Sequence, residues 1–154
     1  GGGRIIGEMC HFIDLARYFA GSQIVSVQAD AARNQEGAAD DVTATLRFQN
    51  GSLATIAYTS LGDTAFPKER FEIFTGGSVL NLANFRSLSI TTNGTTTNKT
   101  AGGQDKGFVA ALTAFTDAVA SGGPAPLDET ELIESSLATL AVLDSLQSGQ
   151  RIDL

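Results

Sequence analysis

The chain has 154 residues, a formal net charge of −7 and a single cysteine. A chain of this length makes one domain and buries roughly 70% of the surface it exposes when unfolded, so it needs no covalent staple; Cys10, in an apolar stretch, can form no internal disulfide and suits a reducing cytoplasm. The negative charge argues against nonspecific binding to nucleic acid or to an anionic membrane, no apolar run approaches the ~20 residues of a membrane span, and the opening residues do not read as a signal peptide.

Glu8 to Ala20 reads as a helix, with Met9, Phe12, Ile13, Ala16 and Phe19 on one stripe, Glu8, His11, Asp14 and Arg17 on the opposite face, and Gly21-Ser22 as its stop. Ile24 to Ala31 reads as a strand, followed by a polar, Ala- and Gly-rich connection through Gly37. Val42 to Phe48 alternates cleanly, with Val42, Ala44, Leu46 and Phe48 on one face. Asn50-Gly51 then signals a two-residue type I′ hairpin, with Leu53 to Ser60 as the return strand. That register sets Phe48 against Leu53 and leaves Thr43, Thr45, Arg47, Ala54, Ile56 and Tyr58 on the second face. Such a mixed face suits cover by a partner subunit.

After a loop with Pro67, Arg70 to Thr75 and Val79 to Leu82 make a second hairpin around Gly76-Gly77. Ser87 to Thr92 is a further short strand, and the Thr/Asn/Gly stretch through Gly103 reads as exposed loop. Phe108 to Ala120 is a helix with Val109, Leu112, Phe115 and Val119 on its stripe, broken by Gly122-Gly123-Pro124. Glu129 to Ser148 is the last helix, N-capped by Asp128 and ended by Gly149. One helix, about six strands and two helices predict an α+β fold: an open, mostly antiparallel sheet with helices on one face. No G-x-G-x-x-G turn between strand and helix is present, and Gly1-Gly2-Gly3 lacks the preceding strand and spacing of one.

The chemistry concentrates in the first fourteen residues. His11 is the only histidine, with Glu8 three residues before it and Asp14 three residues after, so all three lie on one side of the helix. An imidazole with a carboxylate at hand takes and gives protons near neutral pH. The same spacing also suits a surface histidine among ordinary helix-face charges, and the residues alone leave both readings open.

The stretch Gly1-Gly2-Gly3-Arg4-Ile5-Ile6-Gly7-Glu8-Met9-Cys10-His11-Phe12-Ile13-Asp14 resembles the motif that opens the C-terminal domain of the Gfo/Idh/MocA oxidoreductases, a family that includes glucose–fructose oxidoreductase and inositol dehydrogenase. The family pattern is a triple-glycine turn, three residues, Asp, three residues, His, two residues, Asp. The resemblance implies that His11 is the catalytic acid/base facing a substrate carbinol and that Asp14 is a substrate-binding or orienting carboxylate. Where the family has its first Asp this chain has Gly7, and the neighbouring Glu8 is the candidate stand-in, about 100° further round a helix. The Asn50-Gly51 hairpin, the Glu72-to-Ser78 turn, the Phe115-to-Val119 helix and the Gly123-to-Pro126 break extend the resemblance over most of the chain. Gly1 to Glu8, Phe66-Pro67-Lys68-Glu69-Arg70 and Gln104-Asp105-Lys106-Gly107 are similar to a subgroup often fused behind a zinc alcohol dehydrogenase-like domain.

The resemblance further implies NAD or NADP held by a preceding Rossmann domain in a full-length parent, with no cofactor bound by this piece alone. It implies a sugar, polyol or sugar-nucleotide substrate, and a homo-oligomer formed through the open sheet face. An opening Gly1-Gly2-Gly3-Arg4 in place of Met fits an excised piece of such a parent better than a tag remnant. Arg4 is a candidate for a carboxylate or phosphate of the substrate, and equally a solvated charge. Lys68 and Arg70 stand at a strand entrance, where they either line a site or blunt a sheet edge. Asp105 suits a helix start. One His, one Cys and scattered carboxylates offer no metal-ligand spacing. The rival reading is a non-catalytic oligomerisation or binding module whose site has decayed at Gly7.

Overall fold

The computed structural model describes residues 3–32 and 41–154. Gly1, Gly2 and the Ala- and Gly-rich connection through Gly37, expected after the first strand, lie outside or run into the undescribed positions. The chain divides into two compact units, Gly1–Leu61 with Leu127–Leu154, and Gly62–Pro126.

The first unit opens with a π-helical turn, Ile5–Met9, that runs directly into α1, Cys10–Ala20. Three strands follow: β1 (Ile24–Ala32), β2 (Asp41–Phe48) and β3 (Leu53–Tyr58). The long helix α3 (Glu129–Ser148) and a two-residue strand at Ile152–Asp153 return to them. The sheet is antiparallel, and the short C-terminal strand pairs with β1 at its edge, opposite β2. Alternation puts Val42, Ala44, Leu46 and Phe48 into the core, where they meet Ile5, Met9 and Ile13 from the opening helix and Ala138, Ala141 and Val142 from α3. In β1 a register shift between Ile24 and Ser26 adds one residue, which keeps both Ile24 and Val27 buried. Both helices therefore cover one sheet face, as the hydrophobic pattern predicts.

The β2–β3 hairpin corrects the expected register. Gly51 N–H donates to the Phe48 carbonyl at 2.9 Å and Phe48 N–H to the Ser52 carbonyl at 3.0 Å. The loop is thus three residues, Gln49-Asn50-Gly51, with Gly51 at φ +87°. The reason is tertiary. Gln49 N–H bonds the Gln23 carbonyl, Asn50 N–H bonds Ser22 Oγ, and the Asn50 side-chain amide bonds the Ala20 carbonyl. The end of α1 holds the turn open by one residue. Arg47 then faces Leu53 and Leu46 faces Ala54. A one-residue slip turns every side chain over. Ala54, Ile56 and Tyr58 accordingly pack against the core instead of the outer face, which holds Thr43, Thr45, Arg47, Leu53 and Thr55.

The second unit is a four-stranded antiparallel meander of β4 (Arg70–Thr75), β5 (Ser78–Ala83), β6 (Ser87–Thr92) and β7 (Thr95–Thr100), followed by α2 (Phe108–Ser121). The strand β7 lies in the stretch read above as exposed loop. Its turn, Asn93-Gly94, has φ +48° and +73°, the two-residue hairpin that the sequence suggested for Asn50-Gly51. Threonines carry β propensity but no apolar alternation, so the periodicity of β7 gives no sign of a buried face. The described residues form eight strands in two sheets, and the α+β, antiparallel class stands. No α2 residue is buried, and Phe108, Val109, Leu112, Phe115 and Val119 are between 61% and 79% exposed.

Candidate active site

The site is built on the junction between the π-helical turn and α1. Ile5 and Met9 pin the turn to the core, and Ile13 pins α1 one turn later. Arg4, Glu8, His11 and Asp14 are left on the exposed side. A π-helical turn is rare and recurs at functional sites, since it costs hydrogen-bond geometry that packing must repay. Among the described residues His11 has no hydrogen-bond or ion-pair partner, and neither has the Glu8 side chain.

Asp14 is engaged: its Oδ1 accepts from Ser135 Oγ of α3 at 2.9 Å. One turn on, Arg17 reaches α3 as well, at 2.9 Å from Glu131 and 3.5 Å from Glu134. Glu134 also accepts the backbone N–H of Ile24. The helix that carries His11 is thus held by directional contacts to α3 and, through Glu134, to β1.

On its other flank the opening segment meets the strand ends. The Phe12 and Tyr58 rings lie 6.2 Å apart. Asp41 is buried at the start of β2 and gathers donors on one oxygen: Ser60 N–H at 2.6 Å, Thr59 Oγ1 at 2.9 Å and Ser60 Oγ at 3.2 Å. The Ser60 N–H, then the Thr59 hydroxyl, and more weakly the Ser60 hydroxyl and the Arg4 charge, hold its carboxyl below the usual range against the opposing effect of burial. Arg4 therefore sits in the field of an ionised carboxylate of this chain. Asp41, Tyr58 and Thr59 help line a cavity of ≈ 360 Å³ together with Asp30, Thr43 and Leu61. Sequence reasoning missed these groups. Asp41 read only as the residue before a strand, and nothing in its neighbourhood signals the Thr59-Ser60 pair that fixes it.

Lys68 belongs to the second unit, where it is exposed and has no hydrogen-bond or ion-pair partner among the described residues. Its neighbour Glu69 is the buried group, bonded to Lys106 Nζ at 2.8 Å. Lys106 lies 5.9 Å from the Phe85 ring centroid, and Gln104 donates to the Asn84 carbonyl and side chain. The two stretches singled out in the sequence, around Lys68 and around Lys106, are therefore one cluster, a closure between positions 37 residues apart. Arg70 faces Glu72 at 3.8 Å and the Phe66 ring at 5.6 Å. Asp105 accepts the Gly107 N–H at 2.8 Å just before α2, as its place at a helix start suggests.

Among the described residues no three metal-ligating side chains gather, and no described helix is long and apolar enough to cross a membrane. The described residues do not fit a dinucleotide either. Both sheets are antiparallel, with no β-α-β crossover to point a helix N-terminus at a pyrophosphate.

Residues 1–79 match the family model described as the GFO/IDH/MocA C-terminal domain. No curated protein matches the chain. Among solved structures the chain is similar to UDP-N-acetylglucosamine 3-dehydrogenase from Acidithiobacillus ferrooxidans, with a TM-score of 0.79 and 22% identity, over 92% of this chain and 46% of that one. It is similar to an oxidoreductase from Agrobacterium radiobacter in complex with NAD+, L-tartaric acid and magnesium, at 0.77 and 20%, over 95% of this chain and 47% of that one. It is also similar to the aldose-aldose oxidoreductase from Caulobacter crescentus complexed with glycerol, at 0.78 and 15%, over 94% and 45%. The chain spans about half the length of these structures.

Proposed function

Since the chain belongs to the GFO/IDH/MocA C-terminal domain family, we infer that it is the substrate-side domain of a nicotinamide-dependent oxidoreductase acting on a sugar, polyol or sugar nucleotide. The observation that carries this reading is the state of His11: exposed, without a partner among the described residues, on a helix tied to α3 through Asp14 and Arg17. An imidazole so placed exchanges a proton with a substrate hydroxyl. Glu8 and Asp14 supply carboxylates beside it, and Arg4 and Lys68 are the basic candidates for substrate contact. The hydride chemistry belongs to NAD or NADP held by a nucleotide-binding half outside this chain, since the residues described here offer no cradle for it. The uncovered apolar stripe of α2 supports a missing structural partner of that kind.

In the full-length protein, His11→Ala lowers kcat by about 10²–10⁴ at neutral pH. A near-normal rate sinks the assignment. The 154-residue chain by itself oxidises no sugar and gives no calorimetric signal with NAD or NADP; micromolar binding would overturn the division of labour. Self-association through the outer sheet face of the first unit, and action in the cytoplasm, complete the proposal. The first predicts a dimer or larger species by light scattering that Thr45→Lys disperses. If sugars leave the single histidine resonance unmoved while the oligomer persists, the chain is a non-catalytic assembly module, the reading that Gly7 favours.

A further inference from the structure

We propose that Ser135 is a positioning residue for His11, acting through Asp14. The proposal rests on the reading of His11 as the proton-transferring group.

The buried side of α3 carries Ala138, Ala141 and Val142 in the core, and Ser145, which accepts the Ala29 N–H of β1 at 2.9 Å. Two buried polar side chains of α3 meet α1: Ser135, 7% exposed, at Asp14, and Glu134, 9% exposed, at Arg17. Burying polar groups costs free energy, and apolar side chains of similar volume hold two helices together at least as well. Polar side chains supply direction instead. The Ser135 hydroxyl hangs on one rotatable bond, and at 2.9 Å from Asp14 Oδ1 it admits little sliding of α1 along α3 and little rotation of α1 about its own axis. Arg17, between Glu131 and Glu134, adds a second point one turn further on. Two points fix a rotation that the stripe of Met9 and Ile13 alone leaves adjustable, because apolar contacts are non-directional.

His11 precedes Asp14 by three residues on the same side of the helix and has no partner of its own among the described residues. Its direction is therefore that of the helix. Asp14 spends one oxygen on Ser135, which makes it an orienting carboxylate before it is a substrate ligand. Thr139 Oγ1 bonds the Ser135 carbonyl at 2.7 Å and braces the same turn of α3.

The test compares variants in the full-length protein, with its nucleotide-binding half, well below the unfolding temperature. Ser135→Ala lowers kcat about tenfold, as a misplaced proton-transfer group does, while KM and Tm change little. Ser135→Thr, which keeps the hydroxyl, restores most of kcat. Combining Ser135→Ala with Asp14→Ala lowers kcat no further than Asp14→Ala alone, because both remove one contact. The proposal is overturned if Ser135→Ala keeps kcat within twofold, if its loss tracks a loss of Tm, or if Thr fails to rescue. Should Ser135→Ala not fold, Ser135→Cys, which keeps the side-chain size but donates weakly, carries the same kcat test. His11→Ala separates the two levels: full activity there defeats the acid/base reading, whereas an inactive His11→Ala beside an active Ser135→Ala defeats only the positioning role.

Discussion

At the scale of single residues, the side chains that act through distant partners are the ones the sequence hides. His11 stands out as the only histidine, flanked at helical spacing by carboxylates. Ser135 does not, because its partner lies 121 residues away. Asp41 is similar. Its folded pKa lies below the ordinary value, so the unfolded chain binds its proton first as pH falls. The stability it contributes is complete above the unfolded carboxylate range of about 4 and is lost as pH falls toward the lower folded value. Asp128 acts in the same direction, chiefly through the Thr130 N–H that it accepts as N-cap of α3. Asp41→Asn should therefore lower the urea midpoint at pH 7 and make the loss of stability between pH 4 and pH 2 shallower; an unchanged acid slope would show that the contacts of Asp41 carry no proton linkage.

At the scale of elements, the hydrophobic periodicity located all three helices and six strands, and it placed Val42, Ala44, Leu46 and Phe48 on the buried face. It failed where the deciding contact was not local. Asn-Gly prefers a two-residue turn in isolation, yet Ser22, Gln23 and Ala20 bind the Gln49-Asn50 backbone and side chain and select a three-residue loop. At Asn93-Gly94 no such contact from the described residues competes, and the two-residue form persists. Gly51 at φ +87° is the residue on which the selected loop depends, since the left-handed region costs other residues about 1–2 kcal/mol. Gly51→Ala is expected to destabilise the chain by about that amount in urea unfolding. A neutral effect would mean that the loop relaxes to another form without penalty.

At the scale of the whole molecule, the unexplained feature is α2. A helix with five large apolar residues on its surface and none buried is not at its free-energy minimum in water. The isolated chain is expected to bind a hydrophobic dye, and Leu112→Asp together with Phe115→Asp should suppress that binding without lowering Tm, because neither side chain is buried. A loss of Tm would show that α2 is packed in solution. The outer face of the first sheet is a second uncovered surface, now one of threonines with Arg47 and Leu53. A register shift of one residue accounts for the whole difference from the mixed face that the sequence suggests.

By itself the sequence determined the class of the fold, its three α-helices and six of its strands, and it singled out His11 as the candidate for proton transfer, because these depend on side-chain period and on neighbours within a helical turn. Tertiary structure alone decided the β3 register, the pairing of Ser135 with Asp14, the burial of Asp41 and Glu69, and the meeting of the Lys68 and Lys106 segments. Each is a directional hydrogen bond or ion pair closed across a long loop of chain. Such a closure leaves no periodic trace in the residues that make it.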